Sequence, residues 1–480
     1  GVTVALAAAA CLVSQTRDRA SGPLPAAAPG KPSIVLIVLD TVRADHLHRF
    51  GYARDTMPAL EAWARDALTV ERAVTPGGWT SPSHASIFTG LSVSEHGVHY
   101  AEDPGGDDEH LGTLPVEGLP WITNRLSALG YRCIAVSANS LAIPHEMTGW
   151  SRHVEPRRIL WLPSTLAGLG DIVSPLSRRI SEALRWRMPY AEASDVVDIT
   201  MRAVPPQGGP LFLFVNMMDA HSPYNPPAAA LRSLDVDPRP PFGLYATHRD
   251  ITREWKDLPP GTGEALADLY DGELRSMDME LRRLLPWIDG RFGKNALVIV
   301  ASDHGEELGE KGRVGHEYGL SQRILHVPLF VKGDGVRSGD DNEVASLVNL
   351  YDYILAAASG GTPDEAILSQ AGKHGILSER YPSGYNAAKL GPAYGRAWVS
   401  LIEDDLKVVG PPDEGLKLYD LGKEGFSSEV PLAMTPEAAL LGGRIADYWD
   451  ALRDQRTGDE GRAAESKERL RRLKALGYVE

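Results

Sequence analysis

The chain has 480 residues, 43% of them hydrophobic and 7% aromatic, enough to bury a large core as one big catalytic domain with a smaller attached subdomain. A formal net charge of -15 argues against a nucleic-acid partner, because phosphate backbones need a concentrated positive surface that this balance does not supply. Two cysteines, Cys11 in an alanine-rich terminus and Cys133 in an apolar run, exclude a disulfide framework; Cys133 reads as an inert core residue.

The first residues, Gly1 to Cys11, are small, apolar and uncharged, and a polar Pro/Ala-rich stretch follows to Lys31. They read as the tail of an export signal, with a Cys placed as at a bacterial lipoprotein cleavage site. The expectation is an exported protein, periplasmic or membrane-anchored; the plain alternative is an N-terminus that carries no such information. Residues 1–32 are thus read as a signal remnant and linker.

From Ser33 onward short β-branched runs alternate with helical stretches, which predicts a three-layer α/β/α fold around a large, mostly parallel sheet. The clearest strands are Ile34 to Leu39, Tyr131 to Val136, Leu211 to Val215 and Ala296 to Ala301, whose unbroken apolar character implies burial on both faces. Residues 33–360 are expected to form the catalytic domain. Within it, 149–190 reads as a helical insertion with an arginine excess (Arg152, Arg157, Arg158, Arg178, Arg179, Arg185 and Arg187). It is either a basic amphipathic lid, able to associate with an anionic membrane surface, or a packed helical segment with its arginines in solvent. Residues 361–480 are expected to be a smaller C-terminal subdomain, with strands near Ala397 to Ile402 and Leu406 to Val409 and a charged closing helix, Glu465 to Leu476.

Three of the strong strands run into groups that bind metals or handle protons. Ile34 to Leu39 runs into Asp40, Ala296 to Ala301 into Asp303 and His304, and Leu211 to Val215 into Asp219 and His221. Ligands of open α/β sheets bind outside the carboxyl ends of the strands, so these groups are expected to meet along one rim. Asp40, Asp303 and His304 make a set of metal ligands that suits zinc or manganese better than calcium, with magnesium the remaining alternative. Asp219 reads either as a further ligand or as a residue orienting His221. In Gly77-Gly78-Trp79-Thr80-Ser81-Pro82, a hydroxyl falls at a helix start ending at Gly90. There it acts either as an ordinary N-cap or as a nucleophile favoured by the N–H groups and the dipole.

The run Thr80-Ser-Pro-Ser-His84 followed by Ala85-Ser-Ile-Phe-Thr-Gly-Leu91 resembles the sulfatase signature. Val38-Leu-Asp40-Thr-Val-Arg43, Asp219-Ala-His221-Ser-Pro-Tyr224, Ser302-Asp303-His304-Gly305-Glu306 and His326-Val-Pro-Leu-Phe330 fit the same family, and the likeness runs over residues 33 to 478. The resemblance implies the architecture of the alkaline phosphatase superfamily, a divalent metal held by Asp40, Asp303 and His304, attack by Thr80, and His221 contacting substrate or protonating the leaving group. It places His316 near a second positively charged group; read locally, His316 is a surface-loop residue.

Three departures point one way. Thr80 cannot be oxidised to formylglycine, Thr41 stands where many sulfatases carry a second Asp, and His84 replaces the usual Arg. The expected function is therefore a metal-dependent hydrolase or transferase of phosphate or sulfate esters, small-molecule, lipid or glycan, acting through a covalent Thr80 intermediate, with phosphoester chemistry preferred. The alternatives are a sulfuric ester hydrolase that does without formylglycine and, from another class, a catalytically silent surface binding module.

Overall fold

The computed structural model describes residues 11–20, 31–99, 118–144, 147–161, 191–206, 209–237, 258–316, 318–361, 363–371, 375–382, 387, 391–412 and 415–456. The strands in chain order are β1 (Cys11–Ala20), β2 (Ser33–Leu39), β3 (Leu68–Val74), β4 (Arg132–Ser137), β5 (Arg152–Trp161), β6 (Leu211–Met217), β7 (Ala296–Ala301), β8 (Glu307–Leu308), β9 (Val314–Gly315), β10 (Leu329–Lys332) and β11 (Gly339–Ser346), followed by β12 (Ile376–Arg380), β13 (Trp398–Glu403), β14 (Leu406–Gly410), β15 (Lys417–Asp420) and β16 (Val430–Leu432).

Nine of them form the central sheet in the order β1-β5-β4-β6-β2-β7-β10-β3-β11. The block β5-β4-β6-β2-β7 is parallel throughout. β10 runs against both β7 and β3, so β3 points the same way as the parallel block. The carboxyl ends of β2, β3, β4, β6 and β7 therefore open on one rim.

Alternation along β2 builds the three layers. Val35, Ile37 and Leu39 pack with Leu274, Met277 and Leu281 of the helix Thr262–Phe292 and with Val196 and Val197 of the helix Ala193–Ala203. Ile34, Leu36 and Val38 turn to the opposite layer, with Ile87 and Phe88 of the helix Thr80–Thr89 and Tyr353 and Ile354 of the helix Leu350–Ala358. Both faces of the strand lose their water, which is why it reads as a continuous apolar run. Cys133 lies in the second layer, where burial pushes its thiol up to about 12 and leaves it inert.

β12 to β16 make a separate antiparallel sheet. One face packs Val399, Leu401, Val408 and Leu418 against the helix Pro436–Arg456 through Ala438, Leu441 and Ile445. The other joins the catalytic region through Ile376, Ile402 and Val409 against Val74, Ile324 and Leu325.

Two local expectations are corrected. The stretch expected to open a helical insertion at 149–190 instead begins with β5, whose Arg152, His153 and Val154 pair in parallel with Ile134, Ala135 and Val136 of β4. The exposed edge of β4 offers backbone donors and acceptors that an extended segment satisfies and a helix does not. Cys11–Ala20, read as leader, pairs antiparallel along the whole of β5 and caps that edge in turn. Residues 162–190, the linker 21–30 and the closing helix lie outside the described residues. Among the described residues, no helix is long and apolar enough to cross a membrane.

Candidate active site

β2 and β7 deliver Asp40, Asp303 and His304 to the rim, and one donor atom from each lies within 4.8 Å of the others. All three side chains are fully buried. Asp303 Oδ1 accepts the backbone N–H groups of Thr41 (3.3 Å) and His304 (3.0 Å), whereas its Oδ2 has no hydrogen-bond partner. Asp40 Oδ2 accepts from Asn139 Nδ2 at 2.8 Å, and its Oδ1 is likewise orphaned. His304 donates from Nδ1 to the Gly305 carbonyl at 3.0 Å, which leaves the lone pair on Nε2 facing the carboxylates.

Burial and the neighbouring Asp40 push the Asp303 carboxyl well above the usual range, and burial holds His304 well below its own, in the neutral form a metal requires. Two orphaned carboxylate oxygens side by side in a dry site are costly unless a cation balances them. The donor set and its unmet valences thus fit a divalent ion held by Asp40, Asp303 and His304.

Thr80 completes the cluster. The helix Thr80–Thr89 has Trp79 as its N-cap and Thr80 as its first residue, with no side-chain cap, so the N-cap reading of the hydroxyl does not hold. Instead Thr80 Oγ1 lies 3.4 Å from His304 Nε2 and accepts from Asn139 Nδ2 at 3.2 Å. It sits at a helix N-terminus, where oriented N–H groups favour an anion. The turn after β7 permits this approach because position 305 is Gly: a Cβ there would lie 2.0 Å from the Arg323 carbonyl oxygen.

The structure also places the histidines. His221 donates from Nδ1 to the Ser222 carbonyl at 2.6 Å. Its ring centroid is 5.0 Å from that of His316, which is in turn 4.6 Å from His304. The hairpin β8–β9 brings His316 in, so it is a buried member of the site and not the surface-loop residue of the local reading. His84 is buried against the nucleophile helix, donates from Nδ1 to the Thr80 carbonyl at 3.0 Å, and is pushed down to about 4 by burial; it occupies its place as a neutral group. Asp219 takes neither expected role. Its Oδ1 accepts from the Ala193 backbone at the start of the helix Ala193–Ala203, its Oδ2 has no hydrogen-bond partner, and burial raises it to about 7.

Sequence reasoning missed Asn139, Glu306 and Tyr224 as site residues. Asn139 Oδ1 accepts from Leu141 N at 2.9 Å, which turns Nδ2 toward Asp40 and Thr80. The strand-end rule that found Asp40 would have found it, since β4 also runs into polar residues, Ser137-Ala-Asn139. Glu306 is buried, accepts from His316 Nδ1 at 2.9 Å and from the Tyr224 hydroxyl, and is held down at about 2 chiefly by its bond to His316, against the opposing effect of burial.

A hydroxyl and a set of metal ligands, converging on a parallel-sheet rim with imidazoles behind them, define the class of ester hydrolases that attack an anionic centre through an enzyme nucleophile. The chain belongs to the sulfatase family: the family model matches residues 32–361. It is an ester hydrolase with the fold of the alkaline phosphatase superfamily. It is similar to an arylsulfatase of Clostridium perfringens, at 26% identity over 343 residues covering 64% of this chain and 69% of that protein. It is also similar to the multifunctional alkaline phosphatase superfamily protein PehA of Trinickia caryophylli, at 24% identity over 404 residues covering 69% of this chain and 75% of that one. A phosphonate monoester hydrolase of Agrobacterium radiobacter shares the fold with a TM-score of 0.62 at 17% identity, over 88% of this chain and 96% of that chain.

Proposed function

We propose that this protein transfers the phosphoryl group of a phosphate mono- or diester through a covalent intermediate on Thr80. The observation that carries the reading is the placement of Thr80 Oγ1, 3.4 Å from His304 Nε2 and within reach of Asn139, at the N-terminus of its helix. A bound divalent ion, for which the two carboxylates and one imidazole favour zinc or manganese, supplies a Lewis acid that polarises the ester and lowers the hydroxyl pKa. Thr80 attacks in line, Asn139 steadies its oxygen, and the first N–H groups of the helix face the charge that develops. His221 and His316 neutralise the transferring group and move the proton that the leaving oxygen needs. Release to water makes a hydrolase, and release to an alcohol a transferase. A methyl group on the nucleophile carbon keeps Thr80 from the aldehyde that a Cys or Ser can form, which supports the hydroxyl itself as the attacking group.

Similarity to an arylsulfatase favours one second reading, a sulfuric ester hydrolase that uses the same Thr80 without formylglycine. Small-molecule, lipid and glycan esters all suit a rim of this polarity, and the leader-like terminus suits an exported enzyme. The test is incubation of the metal-loaded protein with aryl phosphates and aryl sulfates, followed by mass spectrometry of acid-trapped protein. A phosphoryl adduct on the Thr80 peptide, lost together with turnover in Thr80→Ala, is the expected result. Undiminished turnover in Thr80→Ala removes Thr80 from the mechanism, and a sulfuryl adduct selects the second reading.

A further inference from the structure

Glu306 lies outside the metal cradle and makes no contact with the nucleophile, yet it is fully buried and both carboxylate oxygens are engaged. Oε1 accepts from His316 Nδ1 at 2.9 Å. Oε2 accepts the Tyr224 hydroxyl, and Tyr224 closes the Asp219-to-Tyr224 turn that carries His221. The backbone carbonyl of Glu306 takes a third donor, Arg43 Nη1, at 3.0 Å, from the turn that follows Asp40. One residue therefore ties together the loops after β2, β6 and β7.

A carboxylate on one nitrogen of an imidazole decides which nitrogen handles protons. It keeps the N–H on the side it faces, so that exchange takes place at the other nitrogen, and it stabilises the imidazolium when that forms. Burial sharpens the effect, because a misplaced imidazole lone pair would face a carboxylate with no water to intervene.

We propose that Glu306 is a positioning residue of the reaction: its carboxylate holds the proton of His316 on Nδ1, so that Nε2 is the nitrogen that exchanges a proton with the leaving and the attacking oxygen. When the ester bond to the leaving oxygen breaks and the bond from Thr80 Oγ1 forms, the Nε2 proton passes to the leaving oxygen and His316 becomes neutral with Nδ1–H retained. When water or an alcohol attacks the Thr80 ester, its proton passes to Nε2 as the bond to Thr80 breaks, and the imidazolium is restored. Tyr224, on the second oxygen, keeps the His221 turn in register with the same carboxylate. The inference rests on the covalent ester-transfer reading above.

The test compares Glu306→Gln, Glu306→Asp, His316→Ala and the Glu306→Gln/His316→Ala double variant, each with metal content and thermal unfolding recorded. Substrates are a nitrophenyl ester, whose leaving oxygen needs no proton, and a methyl ester, whose leaving oxygen does, as phosphates and sulfates in parallel. Glu306→Gln is expected to lower kcat on the methyl ester ~100-fold and on the nitrophenyl ester less than ~10-fold. Glu306→Asp should recover part of the loss, and the double variant should lose no more than His316→Ala. Long-range proton–nitrogen correlation NMR of the unmodified protein should show neutral His316 as the Nδ1–H tautomer, a readout that depends neither on turnover nor on whether any variant folds.

Equal losses on both leaving groups, additive losses in the double variant, or an Nε2–H tautomer in the unmodified protein overturn the proposal. Turnover of sulfates alone overturns the phosphoryl reading instead, and the role of Glu306 is then read from the methyl and nitrophenyl sulfates.

Discussion

Asn139 Nδ2 stands 2.8 Å from Asp40 Oδ2, and the same nitrogen is 3.2 Å from the Thr80 hydroxyl. One amide thus couples a metal-ligating carboxylate to the nucleophile, and its orientation is imposed from behind by Leu141 N on Oδ1. Asn139→Ala removes the donor and leaves Asp40 with no bond on either oxygen. Turnover should fall by roughly 10- to 1,000-fold, the range seen when a single preorganised donor is lost. The metal-free protein should lose about 1–3 kcal/mol of stability for the orphaned acceptor. Steady-state kinetics with denaturant unfolding checks both; unchanged turnover would free Thr80 from dependence on Asn139.

Metal removal should expose the repulsion stored in the cradle. Asp40 Oδ1 and Asp303 Oδ2 are buried without hydrogen-bond partners, so chelation is expected to lower the unfolding temperature. Readdition of ion at about 100 times its dissociation constant should restore about 2.7 kcal/mol. Zinc and manganese are expected to restore it at lower concentrations than magnesium or calcium, given the imidazole in the set. Scanning calorimetry of chelated and reloaded protein reads this directly, and an unfolding temperature indifferent to chelation contradicts it.

Gly305→Ala should damage fold and site together. The added methyl would lie 2.0 Å from the Arg323 carbonyl oxygen, a backbone atom with no side-chain freedom to give way. Overpacking of this kind costs about 1–3 kcal/mol and occasionally more. Because the displaced turn carries Asp303 and His304, metal affinity should fall in the same variant. Calorimetry and metal titration give the two numbers; a variant with parental values in both would mean the turn has slack that the geometry denies.

Glu379 offers a pH prediction away from the catalytic rim. It lies on β12, is buried, accepts from Tyr448 at 2.6 Å and Ser94 at 3.2 Å, and is raised by burial from 4.5 to about 7. A carboxylic acid whose folded pKa exceeds its unfolded value keeps the folded chain holding more protons. Its penalty is therefore absent below about 4.5 and grows as pH rises toward 7. The full penalty is about 3 kcal/mol. Glu379→Gln should match the parent in unfolding temperature near pH 4 and exceed it above pH 7, as thermal melts across that range will show. A difference that does not vary with pH would mean that Glu379 does not titrate in the folded state.

The sequence by itself determined the parallel sheet and its catalytic rim. Strands buried on both faces must be continuous apolar runs, and a polar residue directly after such a run marks a carboxyl end, so Asp40, Asp303, His304 and the His221 turn were legible one strand at a time. Only the tertiary structure decided what each of these groups touches. A lone Asn two residues past β4 looks like any turn residue until the register of β4 on β6 sets it beside Asp40. Nothing in the local chain pairs His316 with Glu306 ten positions earlier; the β8–β9 hairpin does that. The strand at Arg152–Trp161 was hidden for a related reason, since its conformation answers an open sheet edge and not its own side-chain period. Burial patterns are written locally, whereas hydrogen-bond partners depend on which surfaces the folded chain brings together.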